Sequence, residues 1–191
     1  MADDLGLAGL DVHAKAKEVL GFWFDLVMPE QRFAKSASMD SEIRTLFGEL
    51  RDHVKESDAA EWRDDPESLL AAIILLDQFS RNLFRGQAEA FAADPLAREL
   101  TLLALEKGWE AEFVPERRAF LYMPLMHAED RALQQLSVER FAEPGLEQNL
   151  QFARDHADCI AKFGRFPSRN AALGRESTPE EKAYLSQGGG W

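Results

Sequence analysis

Asp65-Pro66-Glu67-Ser68-Leu69-Leu70-Ala71-Ala72-Ile73-Ile74-Leu75-Leu76-Asp77-Gln78-Phe79-Ser80-Arg81-Asn82-Leu83-Phe84-Arg85-Gly86 is the stretch whose reading decides the fold class. Asp65 offers a side-chain oxygen to the free amides of a helix start, and Pro66 sits at the first helical position, where its missing N–H costs nothing. The run Leu69 to Leu76 is wholly apolar but falls far short of the roughly 18 residues of a membrane span, so it reads as a buried helix segment. Leu69, Ile73, Leu76 and Phe79 follow the 3.6-residue helical period.

The same signals recur on both sides. Asp94-Pro95 and Thr178-Pro179-Glu180-Glu181 predict two more helix starts, the second with Glu181 at the capping-box position opposite Thr178. Gly108 and Gly164 predict helix ends. Val19, Leu20, Trp23 and Phe24, then Ile43, Leu46, Phe47 and Leu50, mark helices with one apolar face. A long helix from 115 to 141, bent near Pro124, and another from 146 to 163 complete about six or seven helices, with no strand alternation. The expectation is an all-α domain of stacked antiparallel helical hairpins over residues 1–191, with flexible ends at about 1–10 and 186–191. No sequence repeat of solenoid length is visible.

Composition narrows the function. The 191 residues carry a formal net charge of -12 with 46% hydrophobic residues, which argues against general binding to nucleic acid or anionic membranes. Cys159 is the single cysteine, so there is no internal disulfide and no Cys-rich metal motif, and neither a metal nor another cofactor is expected. The acidic start Met1-Ala2-Asp3-Asp4 lacks the basic region of a secretory signal, which points to a cytoplasmic protein.

Against that acidity, Lys162 to Arg175 holds four cations and no acid. Those charges face either carboxylates of the fold or an anionic ligand. Arg165, Arg169 and Asn170 lie in this loop, where planar guanidinium groups can grip carboxylate or phosphate bidentately, or equally staple the loop to helix ends. In the deciding stretch, Asp77 and Arg81 form an i,i+4 pair, while Gln78, Asn82 and Arg85 share another face. A third polar segment places His127, Asp130 and Gln134 on one helical face, and His156 follows on the next helix. A His beside an Asp can serve as a general base, a metal ligand or a hydrogen-bonded core residue. Too few imidazoles are present for a zinc site, and Cys159, three residues after His156, reads as core.

These segments together resemble a bacterial family known as a domain of unknown function (DUF 924). The similarity runs from Val19-Leu20-Gly21-Phe22-Trp23-Phe24 through Leu76-Asp77-Gln78-Phe79, Arg81-Asn82, Tyr122, Pro124, His127, Glu129, Asp130 and Gln134. It continues through Phe163-Gly164-Arg165-Phe166-Pro167 and Arg169-Asn170 to Thr178-Pro179-Glu180-Glu181. The resemblance implies a tetratricopeptide-like right-handed superhelix and brings no established activity, cofactor or partner. The chain departs from the family pattern at Ser80, Ala128 and Ser168, where proline, serine and histidine are expected.

Two functions of different class follow. One is a non-catalytic binding module that holds an acidic peptide or small anion through Asp77, Arg81, Asn82, Arg85, Gln134, Arg165, Arg169 and Asn170. The alternative is an enzyme acting on a small anionic substrate, with His127 or His156 as acid or base and Asp130 orienting an imidazole. Geometry discriminates between them: catalysis needs an imidazole hydrogen-bonded to a carboxylate and open to a pocket. The fold expectation is checked by far-ultraviolet circular dichroism, which should give a helical spectrum; substantial strand content would contradict it.

Overall fold

The computed structural model describes residues 11–190. Among them the chain is helical with no strand. Helix α1 (Val12–Leu20) starts where Asp11 Oδ1 accepts the Ala14 N–H at 3.1 Å, and it runs into a π-helical turn over Gly21–Leu26. Helix α2 (Ala37–Glu56) is capped by Ser36. Helix α3 (Pro66–Ile73) is capped by Asp65, whose Oδ1 accepts from Ser68 at 3.0 Å, and it continues through a second π-helical turn, Ile74–Phe79, into Ser80–Leu83. Then come α4 (Asp94–Lys107), α5 (Pro115–Met126), α6 (Arg131–Phe141), α7 (Glu147–Phe163) and α8 (Pro179–Ser186).

Helix α3 lies at the centre, packed by α1, α4 and α5, with α2 covering its π-helical turn. Every residue from Leu69 to Leu76 is fully buried, as the apolar run predicts. Each such Leu or Ile contributes roughly 1.5–3 kcal/mol by leaving water, which is what holds a polar terminus in place at the far end of this helix. Around Phe79, the rings of Phe22, Trp23 and Phe47 pack at centroid distances of 6.0, 5.5 and 5.2 Å. Phe120 of α5 closes this cluster edge-on to Trp23 at 5.7 Å. Successive helices α4 to α7 pack in sequence-neighbour pairs. No helix among the described residues is long and apolar enough to cross a membrane.

Two local expectations are corrected. The segment 115–141 is two helices rather than one bent at Pro124: α5 carries Pro124 inside it, and the chain breaks after Met126. The break is stable because Asp130 caps α6 through Leu133 N–H at 2.9 Å, while Gln134 Nε2 donates to the Met126 and Ala128 carbonyls at 2.6 and 2.7 Å. Asp94, expected to cap α4, makes no capping bond; its carboxylate turns to two arginines instead.

The C-terminal segment is fastened by ion pairs. The capping box forms, with Thr178 Oγ1 accepting from Glu181 N–H and Glu181 Oε2 accepting from Thr178 N–H. Arg165 grips Glu181 bidentately at 2.7 and 2.9 Å, and Asn170 donates to the same carboxylate at 3.1 Å. Residues 1–10 and 191, where loose ends are expected, lie outside the described residues. Gly189 N–H bonds the Tyr184 carbonyl at 3.0 Å, and Gly190 sits against Ser168.

Arg165 and the capping amide hold the Glu181 pKa down at about 2, below its ordinary 4.5. A depressed carboxylate pKa stabilises the fold above pH 4.5, and that contribution is lost as pH falls toward 2. Glu181→Gln should therefore destabilise the protein near neutrality, with the gap to the parent shrinking as pH falls through this window. Thermal unfolding at several pH values checks it, and a pH-independent gap would contradict it.

Candidate functional site

Asp77 lies in the π-helical turn at the end of α3's apolar run and is 1% exposed. A π-helical turn shifts the helix register locally, a distortion frequent at functional sites. A carboxylate placed there must be paired, because an isolated buried charge is prohibitively costly. Its Oδ1 forms an ion pair with Arg81, whose Nη1 lies 2.9 Å away and donates to the Asp77 backbone carbonyl at 2.8 Å, and the same Oδ1 lies 2.8 Å from His127 Nδ1. Its Oδ2 accepts from Gln78 Nε2. The Asp77–Arg81 pair expected from i,i+4 spacing is thus present and buried on the aspartate side.

From Arg81 the network continues. Its Nη1 and Nη2 donate to Asp94 Oδ1 and Oδ2 at 3.0 and 3.1 Å. Arg169 Nη1 donates to the same Oδ2 at 3.1 Å, and its Nη2 donates to the His127 carbonyl at 2.9 Å. The Arg169 guanidinium lies 4.6 Å from the Phe91 ring centroid and 4.7 Å from that of Phe166. His127, Asp77, Arg81, Asp94 and Arg169 therefore form a closed ring of hydrogen bonds.

Because a carboxylate only accepts, the Asp77 contact assigns the proton of neutral His127 to Nδ1 and leaves the Nε2 lone pair available. Among the described residues Nε2 has no hydrogen-bond partner. His127 lines a cleft of about 380 Å³ together with Phe91, Asp94, Arg98, Pro124 and Arg169. Burial pushes the His127 pKa below the ordinary imidazole value, Asp77 opposes that, and Arg81 adds to it. Burial also works against the Asp77 charge, but Arg81 and His127 outweigh it and hold that carboxyl well below the usual range. Both shifts favour an ionised carboxylate and a neutral imidazole.

Other expected site residues go elsewhere. Asn82 and Arg85 both donate to Asp40 of α2, at 2.8 Å and at 2.6 and 2.9 Å. Arg165 and Asn170 serve Glu181, and Gln134 serves the carbonyls freed at the end of α5. The arrangement of His127, Asp130 and Gln134 on one helix face is corrected by the break after Met126, which makes Asp130 the cap of α6. The carboxylate that orients the imidazole is Asp77, fifty positions away in sequence. His156 bonds its own helix through Nδ1 to the Phe152 carbonyl at 2.7 Å, and burial with the nearby His127 pushes its pKa down to about 3. Its ring lies 6.1 Å from that of His127. Cys159 is buried beside Ile160 and Phe166, and burial raises its thiol pKa. Among the described residues no three of His, Cys, Asp and Glu are arranged to hold a metal ion. Arg98 escaped the sequence reading; the only signal was its i,i+4 spacing from Asp94.

Residues 19–189 match a family described as bacterial protein of unknown function (DUF924). A solved structure of a protein of unknown function from Agrobacterium tumefaciens is 38% identical, covers 93% of this chain and 99% of its own, and superposes with a TM-score of 0.88. A protein named N-acetylglucosaminyltransferase from Neorhizobium galegae is 32% identical over 104 residues, 54% of this chain. A second of that name from Sinorhizobium fredii is 41% identical over 54 residues, 28% of this chain. The chain spans only 20% and 12% of the length of those two relatives.

Asp77→Asn should lower the His127 pKa further, because it removes the charge that supports the imidazolium, and should destabilise the fold by about 1–3 kcal/mol through loss of the buried carboxylate's charge-assisted contacts with Arg81 and His127. An NMR titration of the His127 ring and denaturant unfolding check both. An unchanged titration, or a stability change within about 0.5 kcal/mol, would contradict the buried pairing.

Proposed function

The chain belongs to the bacterial DUF924 family of unknown function, and from that premise we propose that it is an enzyme that moves a proton on a small anionic substrate, with His127 as acid and base and Asp77 as its orienting partner. The observation that carries this reading is the 2.8 Å contact from His127 Nδ1 to a 1%-exposed carboxylate, in an imidazole that also lines a cleft. His127 Nε2 takes a proton from a bound water or from the substrate, and Asp77 stabilises the imidazolium that results. The imidazolium then returns the proton to the product or leaving group, which restores the neutral ring. The lowered His127 pKa keeps the base form populated at neutral pH.

No Ser, Thr, Cys or Lys side chain lines the cleft among the described residues, and Asp94 is bound to two arginines. That supports proton transfer without a covalent enzyme intermediate. His156, with its pKa near 3, is too weak a base at neutral pH and packs against Phe166 behind His127. The alternative of a module for an acidic peptide is favoured less, since Arg85 and Arg165 lie on separate carboxylates and do not line this cleft. The activity named for the two curated relatives is not assigned to this chain, which spans a fifth of either protein at most.

The test is a panel of small carboxylates, acyl amides and monophosphate esters incubated in D2O, with hydrolysis and C–H exchange followed together by proton NMR. Any turnover should fall by about two to four orders of magnitude in His127→Gln and persist in His156→Gln. Activity should decline as pH falls through the His127 pKa. Turnover that survives His127→Gln would defeat the reading.

A further inference from the structure

Helix α4 presents Asp94 and Arg98 one turn apart on one face, a spacing at which the two would ordinarily pair. Here Asp94 is already taken, its Oδ1 by Arg81 and its Oδ2 by Arg81 and Arg169. Arg98 is left half-buried in the cleft with no side-chain partner among the described residues. At this cleft Arg81 and Arg169 pair with the carboxylates of Asp77 and Asp94, Glu129 is matched by Arg175 at 2.7 Å, and Arg98 lines the same cleft. Three guanidinium groups against two carboxylates leave one positive charge unmatched, in a chain whose net charge is -12. Such a local excess attracts an anion that the rest of the surface repels.

The remaining wall is apolar, with Phe91, Pro95, Pro124 and Leu173 beside the alanines at 88, 92 and 128. The cleft volume of about 380 Å³ suits a small molecule. We propose that Arg98 is the specificity-determining residue of this cleft, and that it selects a small monoanion, a carboxylate with an apolar body, laid across the His127 ring. A singly charged head balances the excess charge. A doubly charged one would leave its second charge unpaired against Asp94 and the apolar wall. This inference deepens the proton-transfer reading and rests on it for calling the bound anion a substrate.

The experiment uses three probes of nearly equal shape, hexanoate, hexanamide and hexylamine, titrated by NMR into the parent, Arg98→Gln, Arg98→Glu and His127→Gln, each checked for a parent-like helical spectrum. The parent should bind hexanoate roughly tenfold or more better than hexanamide, the difference expected for one charge-assisted contact. Arg98→Gln should abolish that preference, and Arg98→Glu should shift it toward hexylamine. Equal binding of hexanoate and hexanamide by the parent, an unchanged preference in Arg98→Gln, or no saturable binding of any probe overturns the assignment. His127→Gln should keep the preference for hexanoate, and loss of that preference would place the anion on the imidazole and overturn the role of Arg98. Because these readings come from binding alone, they stand or fall separately from the loss of turnover in His127→Gln.

Discussion

The Asp77 carboxylate is the group on which the rest of the arrangement depends. It is buried at the end of an eight-residue apolar run, and the protein holds it ionised by surrounding it with Arg81, His127 and Gln78. Each partner then needs its own support. Arg81 requires Asp94, Asp94 attracts Arg169, and Arg169 returns to the His127 carbonyl. Burying one charge has organised five further residues, and the exposed end of that organisation is an imidazole nitrogen at a cleft.

The arginines give a general lesson about acidic proteins with a basic stretch. The acid-free segment from Lys162 to Arg175 looks like a ligand site when set against the whole composition. Most of it is spent on internal carboxylates: Arg165 on Glu181, Arg175 on Glu129, and Arg169 on Asp94. The Arg165 and Arg175 pairs are bidentate, an arrangement that fixes geometry well. Charge counting along the sequence picks out this segment, but only the three-dimensional pairing separates a staple from an unpaired cation, and Arg98, without a side-chain partner among the described residues, lies on helix α4.

Legibility in the sequence followed the range of the interaction. Contacts within one helical turn were readable: the Asp65 cap, the Thr178–Glu181 capping box, the Asp77–Arg81 pair and the ends at Gly108 and Gly164. Asp94 was misread because the rule that an acid before a proline caps a helix is local, and two arginines from elsewhere outbid the backbone amides. His127 and Asp130 were placed on one face because continuity of the helix was assumed, whereas Gln134 satisfies the carbonyls of a break between them. The His127–Asp77 contact joins residues fifty positions apart and leaves no trace in spacing. Arg98 was missed for a related reason: its importance comes from its usual partner being occupied.

The closed ring also sets a timetable for synthesis. Asp94 and Arg169 are 75 positions apart, so a chain made from its N-terminus holds the completed Asp77 helix well before the last member of the ring exists. At about 5–20 residues per second, that interval is roughly 4 to 15 s. Until Arg169 is made, Phe91 has only Arg81 beside its ring, and the His127 carbonyl, once made, lacks its arginine donor. The helices with side-chain caps of their own, such as α1, α2 and α3, can form early, but the cleft beside His127 is completed late, when the C-terminal loop docks. Order of emergence, as well as final contact, thereby separates the scaffold of this protein from its chemistry.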